Sequence, residues 1–261
     1  MTTTAAPDIT GPKPALFSAA TTLATARRVL TQLRHDPRTI ALLLVVPCVL
    51  LTLLEWIFDG TPQIFDRVGG PLLGIFPFTV MFLVTSVTTL RERSSGTLER
   101  LLAMPLGKLD LLLGYALGFS LLAAVQAGIA TALAVGLLGL EVQGSVWLLL
   151  LVAVLNAVLG TALGLLVSAF ATTEFQAVQF MPAFILPQLL LCGLFVQRDA
   201  MVDVLRWISD VLPMSYAVDA MTELSEHQEV TGAFLRDVAV IAGFVVLSLG
   251  LGAATLRRRT P

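Results

Sequence analysis

Apolar residues fall into six long runs, at about 39–58, 68–90, 109–140, 146–171, 177–196 and 234–256, separated by polar stretches. A helix needs about twenty apolar residues to cross about 30 Å of hydrocarbon, and each run reaches that length. The pattern predicts an all-α integral membrane protein with six transmembrane helices across residues 37–256. The third run is over-long, so one of its ends lies outside the hydrocarbon. Pro182 and Pro187 interrupt the fifth, which predicts a kinked or broken span lining protein rather than lipid.

Ahead of the first run, Leu16, Ala19, Leu23, Ala26, Leu30 and Leu33 recur in alternating steps of three and four. Arg27, Arg28, Gln32 and Arg34 occupy the other faces. Residues 15–36 therefore predict an amphipathic helix too polar to span, lying in the membrane interface with its arginines among lipid phosphates. His35-Asp36-Pro37-Arg38 then turns the chain into the bilayer, with Asp36 as N-cap, Pro37 as first helical residue and His35 as an interfacial residue. Residues 1–14 are polar and lack a basic stretch followed by an apolar core, so they read as a disordered tail and not a signal peptide. Between the fifth and sixth runs, 197–233 reads as a cap. Met201, Val204, Leu205, Trp207 and Ile208 predict one short amphipathic helix, Pro213 ends it, and Met214–Glu226 predicts a second. Trp207 and Tyr216 suit an aromatic belt.

Composition agrees: 56% of the 261 residues are hydrophobic and 13% charged, with mean hydropathy +0.88, where soluble domains carry about a quarter charged residues. Charge then gives orientation. Six spans put both termini on one side, with the 91–108 connection and the 172–176 turn. That side holds Lys13, Arg27, Arg28, Arg34, Arg38, Arg91, Arg93, Arg100, Lys108, Arg257, Arg258 and Arg259. Only Arg67, Arg198, Arg206 and Arg236 fall on the other, so both ends, including a basic 257–261 tail, are expected in the cytoplasm. Acids run the opposite way, and Asp199, Asp203, Asp210, Asp219, Glu223 and Glu226 crowd the outer cap, either to attract cations or as a solvated face.

Much chemistry is excluded. No G-x-x-x-x-G-K-[ST] occurs. His35 and His227 stand on opposite sides of the membrane, and Cys48 and Cys192 lie in apolar runs, so no metal site or disulfide framework is expected. Glu55, Asp59 and Asp110 sit near span ends, which leaves no proton relay in mid-bilayer. Gln126, Asn156, Gln179 and Gln188 either face a substrate path or bond between helices. Gly114-x-x-x-Gly118 and Gly160-x-x-x-Gly164 are small-residue faces that permit close helix approach. The chain reads as a conduit without its own engine.

The 91–108 connection, RERSSGTLERLLAMPLGK, is a charged island between the second and third runs. Leu98, Leu101 and Leu102 share one face of a short helix that Pro105 stops, with Leu106 beyond. Glu92-Arg93-Ser94-Ser95-Gly96-Thr97-Leu98-Glu99-Arg100-Leu101-Leu102-Ala103-Met104-Pro105, followed by Gly114-Tyr115, resembles the E-R-x-x-G-T-L-E-x-L-L-x-x-P…G-Y segment of ABC-2 type transporter permeases. The likeness is nearest to the daunorubicin-resistance-like and nodulation-export-like branch. Asp36-Pro37-Arg38, Cys192-Gly193-Leu194-Phe195 and Leu212-Pro213-Met214-Ser215-Tyr216-Ala217-Val218-Asp219-Ala220 extend it over residues 16–256.

The resemblance implies a six-span half of an ATP-driven exporter in a bacterial plasma membrane. A separate ABC ATPase, in two copies, would carry ATP and Mg, and a second permease copy or a relative would complete the path; this chain would bind no cofactor and no nucleic acid. The island would be a cytoplasmic coupling helix, with Arg91, Glu92, Arg93, Gly96, Thr97, Glu99, Arg100 and Leu101 nearest the ATPase. Gly96 would permit close backbone approach and the mixed charges would orient the partner. By the same analogy the second and fifth spans line the path, with Phe76, Phe78, Met81, Phe82, Thr85, Gln179, Phe180, Phe184 and Gln188 suited to a small hydrophobic or amphiphilic compound such as a drug or lipid. The competing reading is a non-transporting membrane anchor or signalling subunit that recruits an ATPase.

Overall fold

Prolines mark where several helices begin: Pro37, Pro62 and Pro213 each occupy the first helical turn, where a missing N–H costs nothing. A computed structural model of the chain describes residues 18–97, 100 and 107–255. The expected 1–14 and 257–261 tails, Leu16, and the island residues Leu98, Glu99, Leu101, Leu102, Pro105 and Leu106 lie outside the described residues. Among the described residues the structure is helical, without strands. The helices are α1 (Ala19–Arg34), α2 (Pro37–Ile57), α3 (Pro62–Ser94), α4 (Lys108–Gly136), α5 (Val146–Val167), α6 (Glu174–Leu191), α7 (Asp203–Val211), α8 (Pro213–Glu226) and α9 (Gly232–Thr255), with a 3₁₀ turn at Arg198–Ala200.

Side-chain contacts fix how the long helices run. Asn156 bonds Gly74, and Gly160 and Gly164 lie against Phe78 and Phe82, so α3 and α5 advance together. Glu92 meets Tyr115, so α4 runs against α3. Gln126 donates to the Leu43 carbonyl at 2.9 Å, with α2 parallel to α4. Arg91 pairs with Glu174 while Phe82 stacks on Phe184, which sets α6 against α3. Gly252, near the close of α9, lies beside Leu112 of α4 and Leu166 of α5. The six long helices thus alternate in direction. One end of the bundle, the island end, gathers the close of α3, α5 and α9 and the start of α2, α4 and α6.

The α3–α5 contact is the most extensive in the bundle. It is close because a Cβ at Gly160 would lie 2.3 Å from the Phe78 carbonyl oxygen, and one at Gly164 would lie 2.6 Å from that of Phe82. The interior around α3 buries Phe78, Met81, Phe82, Leu149, Val152 and Met221 completely. By contrast α2 and α9 are only 17% buried over their apolar windows. Their outward faces carry Leu42, Val45, Val49, Trp56, Val246 and Leu247, so the outer surface of the bundle is apolar, as hydrocarbon demands. This is an all-α membrane protein.

Three boundaries differ from the sequence expectation. Five described helices are long and apolar enough to cross a membrane: α2, α3, α4, α5 and α9. The fifth expected span is α6, an 18-residue helix of about 27 Å that includes Gln176, Gln179 and Gln188. Its prolines do not break it, and much of it is exposed, including Phe175, Val178, Leu186 and Leu190, so the expectation that it lines protein fails within one chain. The second span is longer than its apolar run: α3 has 33 residues, about 50 Å, and extends past the 68–90 run at both ends, through Pro62–Arg67 before it and Arg91–Ser94 after it. The expected cap is partly core. Its α7 is amphipathic with Val204, Trp207 and Val211 exposed, but α8 buries Met214, Ala217, Ala220, Met221 and Leu224 against α3 and α9.

Candidate functional site

The island end is built first from a helix stop. Ser95 caps α3, and Gly96 follows at φ +72°, with open space within 4 Å of where a Cβ would stand. Gly96 is therefore required by the left-handed turn that ends α3, rather than by a close approach within the chain. Beyond the turn, Thr97 is half-buried and Arg100 exposed. Glu99 and Leu101, also expected to contact a partner, lie outside the described residues.

Three polar ties anchor the end of α3 to its neighbours. Arg91 grips Glu174 at the start of α6 with two bonds, Nε to Oε1 at 3.0 Å and Nη2 to Oε2 at 3.1 Å, both side chains being largely exposed. Arg93 donates through Nη1 to the carbonyls of Ser168 and Ala169, at 3.2 and 3.1 Å, where α5 ends. A cation there complements the negative end of the helix dipole and satisfies orphan carbonyls. Glu92 turns inward and is 5% exposed. Its Oε2 accepts from Arg28 Nη2 on α1 at 2.9 Å and from the Tyr115 hydroxyl on α4, while the Arg28 guanidinium lies 5.5 Å from the Tyr115 ring centre. Glu92 is thus not part of the exposed surface of the island.

α1 also differs from its expected placement. Its buried face is Thr22, Thr25, Ala26, Val29 and Leu33, and Leu23 is 65% exposed. The small residues prevail because Gly114 and Gly118 of α4 let α1 approach closely. A Cβ at Gly114 would lie 2.4 Å from the Thr25 Cβ, and one at Gly118 would lie 3.2 Å from the Ala26 carbonyl oxygen. Asp110, 2% exposed, accepts from the Ser18 backbone N–H at 2.8 Å, placing a carboxylate at the positive end of α1. Arg28 is drawn to Glu92 instead of to lipid phosphates. Asp36 caps α2 as expected, accepting from Thr39 N at 3.2 Å and Thr39 Oγ1 at 2.7 Å. Those bonds, the hydroxyl first, hold its carboxyl below the usual range.

The expected path residues do not form one surface. Phe78, Met81, Phe82, Thr85 and Gln188 are buried inside the chain. Phe78 and Phe82 stack toward Phe184, with Phe82 and Phe184 centroids 5.6 Å apart. Phe76, Phe180 and Phe184 are half-buried and Gln179 is exposed, so only these four keep surface for a path between chains. Gln126, Asn156 and Gln188 bond between helices: Asn156 Nδ2 donates to the Gly74 carbonyl at 2.9 Å, and Gln188 Oε1 accepts from Met214 N at 3.4 Å.

At the far end, Arg198 is the node of the cap. It pairs with Asp210 of α7 and Asp219 of α8 and lies 5.2 Å from the Tyr216 ring centre, while the Tyr216 hydroxyl donates to the Asp210 carbonyl at 2.7 Å. Burial pushes the Asp219 carboxyl up, and Arg198 pulls it back in part. Much of the acid expected as a solvated face is therefore tied internally. Sequence reasoning misses the Arg28–Glu92–Tyr115 cluster and the Asp110 tie. The available signal is a pair of acids, Glu92 and Asp110, placed beside apolar runs with Tyr115 five residues on from the second.

The family model described as ABC-2 type transporter matches residues 20–224, which contain nearly all of this arrangement. Among curated proteins, the chain is 26% identical over 184 residues to ABC transporter G family member 20 of Dictyostelium discoideum, covering 67% of this chain and 25% of that one. It is 26% identical over 178 residues to the probable multidrug ABC transporter permease YbhS of Escherichia coli, covering 68% and 47%. The inner membrane transport permease YhhJ of Escherichia coli is 28% identical over 187 residues, covering 69% and 50%. The chain thus spans a quarter to a half of the length of these relatives.

Proposed function

Because the chain belongs to the ABC-2 type transporter family, we propose that it is the membrane subunit of an ATP-driven exporter that moves a small hydrophobic or amphiphilic compound outward. The bilayer is the plasma membrane of a bacterium, with both termini and the island on the cytoplasmic side. A separate ABC ATPase, two copies to a complex, binds and hydrolyses ATP with Mg, and a second permease copy or relative completes the path. The observation that carries this reading is the construction of the island end. At that end α3 runs one further turn past its apolar run, Arg91–Ser94, about 6 Å, and is tied there to α1, α4, α5 and α6. A push delivered at Thr97 and Arg100 reaches four helices through charged hydrogen bonds, which a floppy loop would dissipate.

The exposed face of α6 supports pairing with a second copy, since Phe175, Val178, Leu186 and Leu190 present an apolar stripe next to half-buried Phe180 and Phe184. Family relatives named as multidrug permeases support a drug-like or lipid-like cargo. The test is ATP-dependent accumulation of lipophilic dyes in everted vesicles bearing the full complex. Wild type should accumulate dye, and Gly96→Pro should abolish accumulation while the ATPase stays bound. Undiminished accumulation in Gly96→Pro would sink the coupling assignment. Absence of any ATP-dependent movement, with an ATPase bound, would favour a membrane anchor.

A further inference from the structure

We propose that the outer end of the bundle carries a binding site for a hydrophilic organic amine with several positive charges, of the polyamine class. The site is a cavity of about 480 Å³ between the segment that follows α6, helices α7 and α8, and the start of α9. It stands apart from the exporter reading, since binding there calls for neither ATP nor an ATPase.

Charge in the cavity does not balance. Six carboxylates and three guanidiniums line it, so with His227 neutral three negative charges are in excess. The guanidiniums are already matched: Arg198 pairs with Asp210 and Asp219, Arg206 with Asp199 at 3.0 Å, and Arg236 with Asp237 at 2.8 Å. An anion would have to displace a carboxylate to enter. Glu223 and Glu226, one turn apart on α8, are in the opposite position. The Glu223 carboxylate accepts from the Thr231 hydroxyl, and no ion pair reaches it or Glu226 among the described residues.

A second observation points to the same ligand. Asp237 stands inside the sixth apolar run and is 1% exposed, a placement that costs free energy unless the charge is met. Its cation, Arg236, is the next residue, lies 63% exposed and bonds only Oδ1. Oδ2 accepts no hydrogen bond among the described residues, so a buried carboxylate oxygen in the cavity wall is left for an ammonium donor. The lining also sets the kind of cation. Among the described residues no three His, Cys, Asp or Glu side chains gather as a metal ion requires, so the excess charge is spread and suits several amines along one chain. No aromatic ring lines the cavity, which leaves a lipophilic aromatic cation nothing to stack on, and the volume admits a small molecule. A polyamine held by Glu223 and Glu226 of α8 and Asp237 of α9 would tie those two helices together.

Calorimetric titration of spermidine into the full chain, in phosphatidylcholine nanodiscs at about 0.15 M NaCl, tests this. Spermidine should bind saturably. Asp237→Asn should weaken binding about tenfold or more, because a buried charge partner is lost. Glu226→Gln, at an exposed position where folding is not at stake, should weaken it about threefold. Glu229→Gln, an exposed acid outside the cavity, should leave affinity unchanged. Three results overturn the site: no saturable binding, undiminished affinity in both cavity variants, or equal losses in Glu226→Gln and Glu229→Gln, which mean diffuse attraction to an acidic surface. Competition separates the ligand classes. Neither magnesium chloride at equal ionic strength nor tetraphenylphosphonium should displace spermidine. Displacement by magnesium marks a metal site, displacement by tetraphenylphosphonium marks a stretch of the cargo path, and either one overturns the assignment.

Discussion

Placing a methyl group at Gly160 should wedge α3 away from α5. The added Cβ would stand 2.3 Å from the Phe78 carbonyl oxygen and 3.0 Å from its carbonyl carbon. Ordinary contacts of this kind begin near ~3.4 Å, so the two backbones must part by about 1 Å in an interior packed to crystal density. Backbone cannot rotate away as a side chain can. Overpacking costs about 1–3 kcal/mol, and here the upper end applies because the obstacle is main chain on both sides. Gly128 supplies the control, because nothing lies within 4 Å of a Cβ there. Gly128→Ala within α4 should be neutral or stabilising by about 0.5–1 kcal/mol. Equilibrium unfolding of both variants in the same mixed micelles measures the difference. A Gly160→Ala protein as stable as wild type, or less damaged than Gly128→Ala, refutes the packing argument.

Gly96→Ala should destabilise the turn after α3 by about 1–2 kcal/mol through backbone strain alone, since open space surrounds the site; melting of the variant in nanodiscs checks it. Arg93→Ala removes the donor to the last carbonyls of α5 and should raise amide exchange in the Leu166–Phe170 turn by about tenfold. The Asp36 carboxyl is held low by Thr39, so its contribution to stability is full above the ordinary aspartate value of about 3.9 and is lost as pH falls through the lowered value. Asp36→Asn, which can still cap α2 but cannot ionise, should lower the melting temperature slightly at neutral pH and flatten the acid side of the profile below about pH 4.

The bundle is legible wherever one residue type dominates a run. Six apolar runs become six long helices, and Asp36-Pro37 marks the start of α2 because cap chemistry is local. The two glycine pairs are close-approach faces, as their spacing predicts, but no spacing rule says which helix meets which. For that reason periodicity alone misassigns the stripe on α1. It turns the stripe through Leu23 toward the membrane interface, whereas the buried face runs through Thr22, Thr25 and Ala26, because Gly114 lacks the Cβ that would meet Thr25. Arg28 is equally opaque, since its partner is supplied by a helix that folds against it from far along the chain. Aromatic character on two spans suggests path residues, and the burial of Phe78 and Phe82 beneath α5 is a tertiary fact that their spacing does not carry.

Site-specific photocrosslinking in native membranes puts the central claim to its most direct test. A photoreactive amino acid at Arg100, exposed just past the end of α3, should crosslink to an ABC ATPase, with the adduct yield changing when ATP and vanadate trap the closed nucleotide sites. The same probe at Trp207, on the exposed face of α7 at the far end, should give no ATPase adduct. An ATPase adduct from Trp207 but none from Arg100 would contradict the account, because the partner would then sit at the wrong end of the bundle.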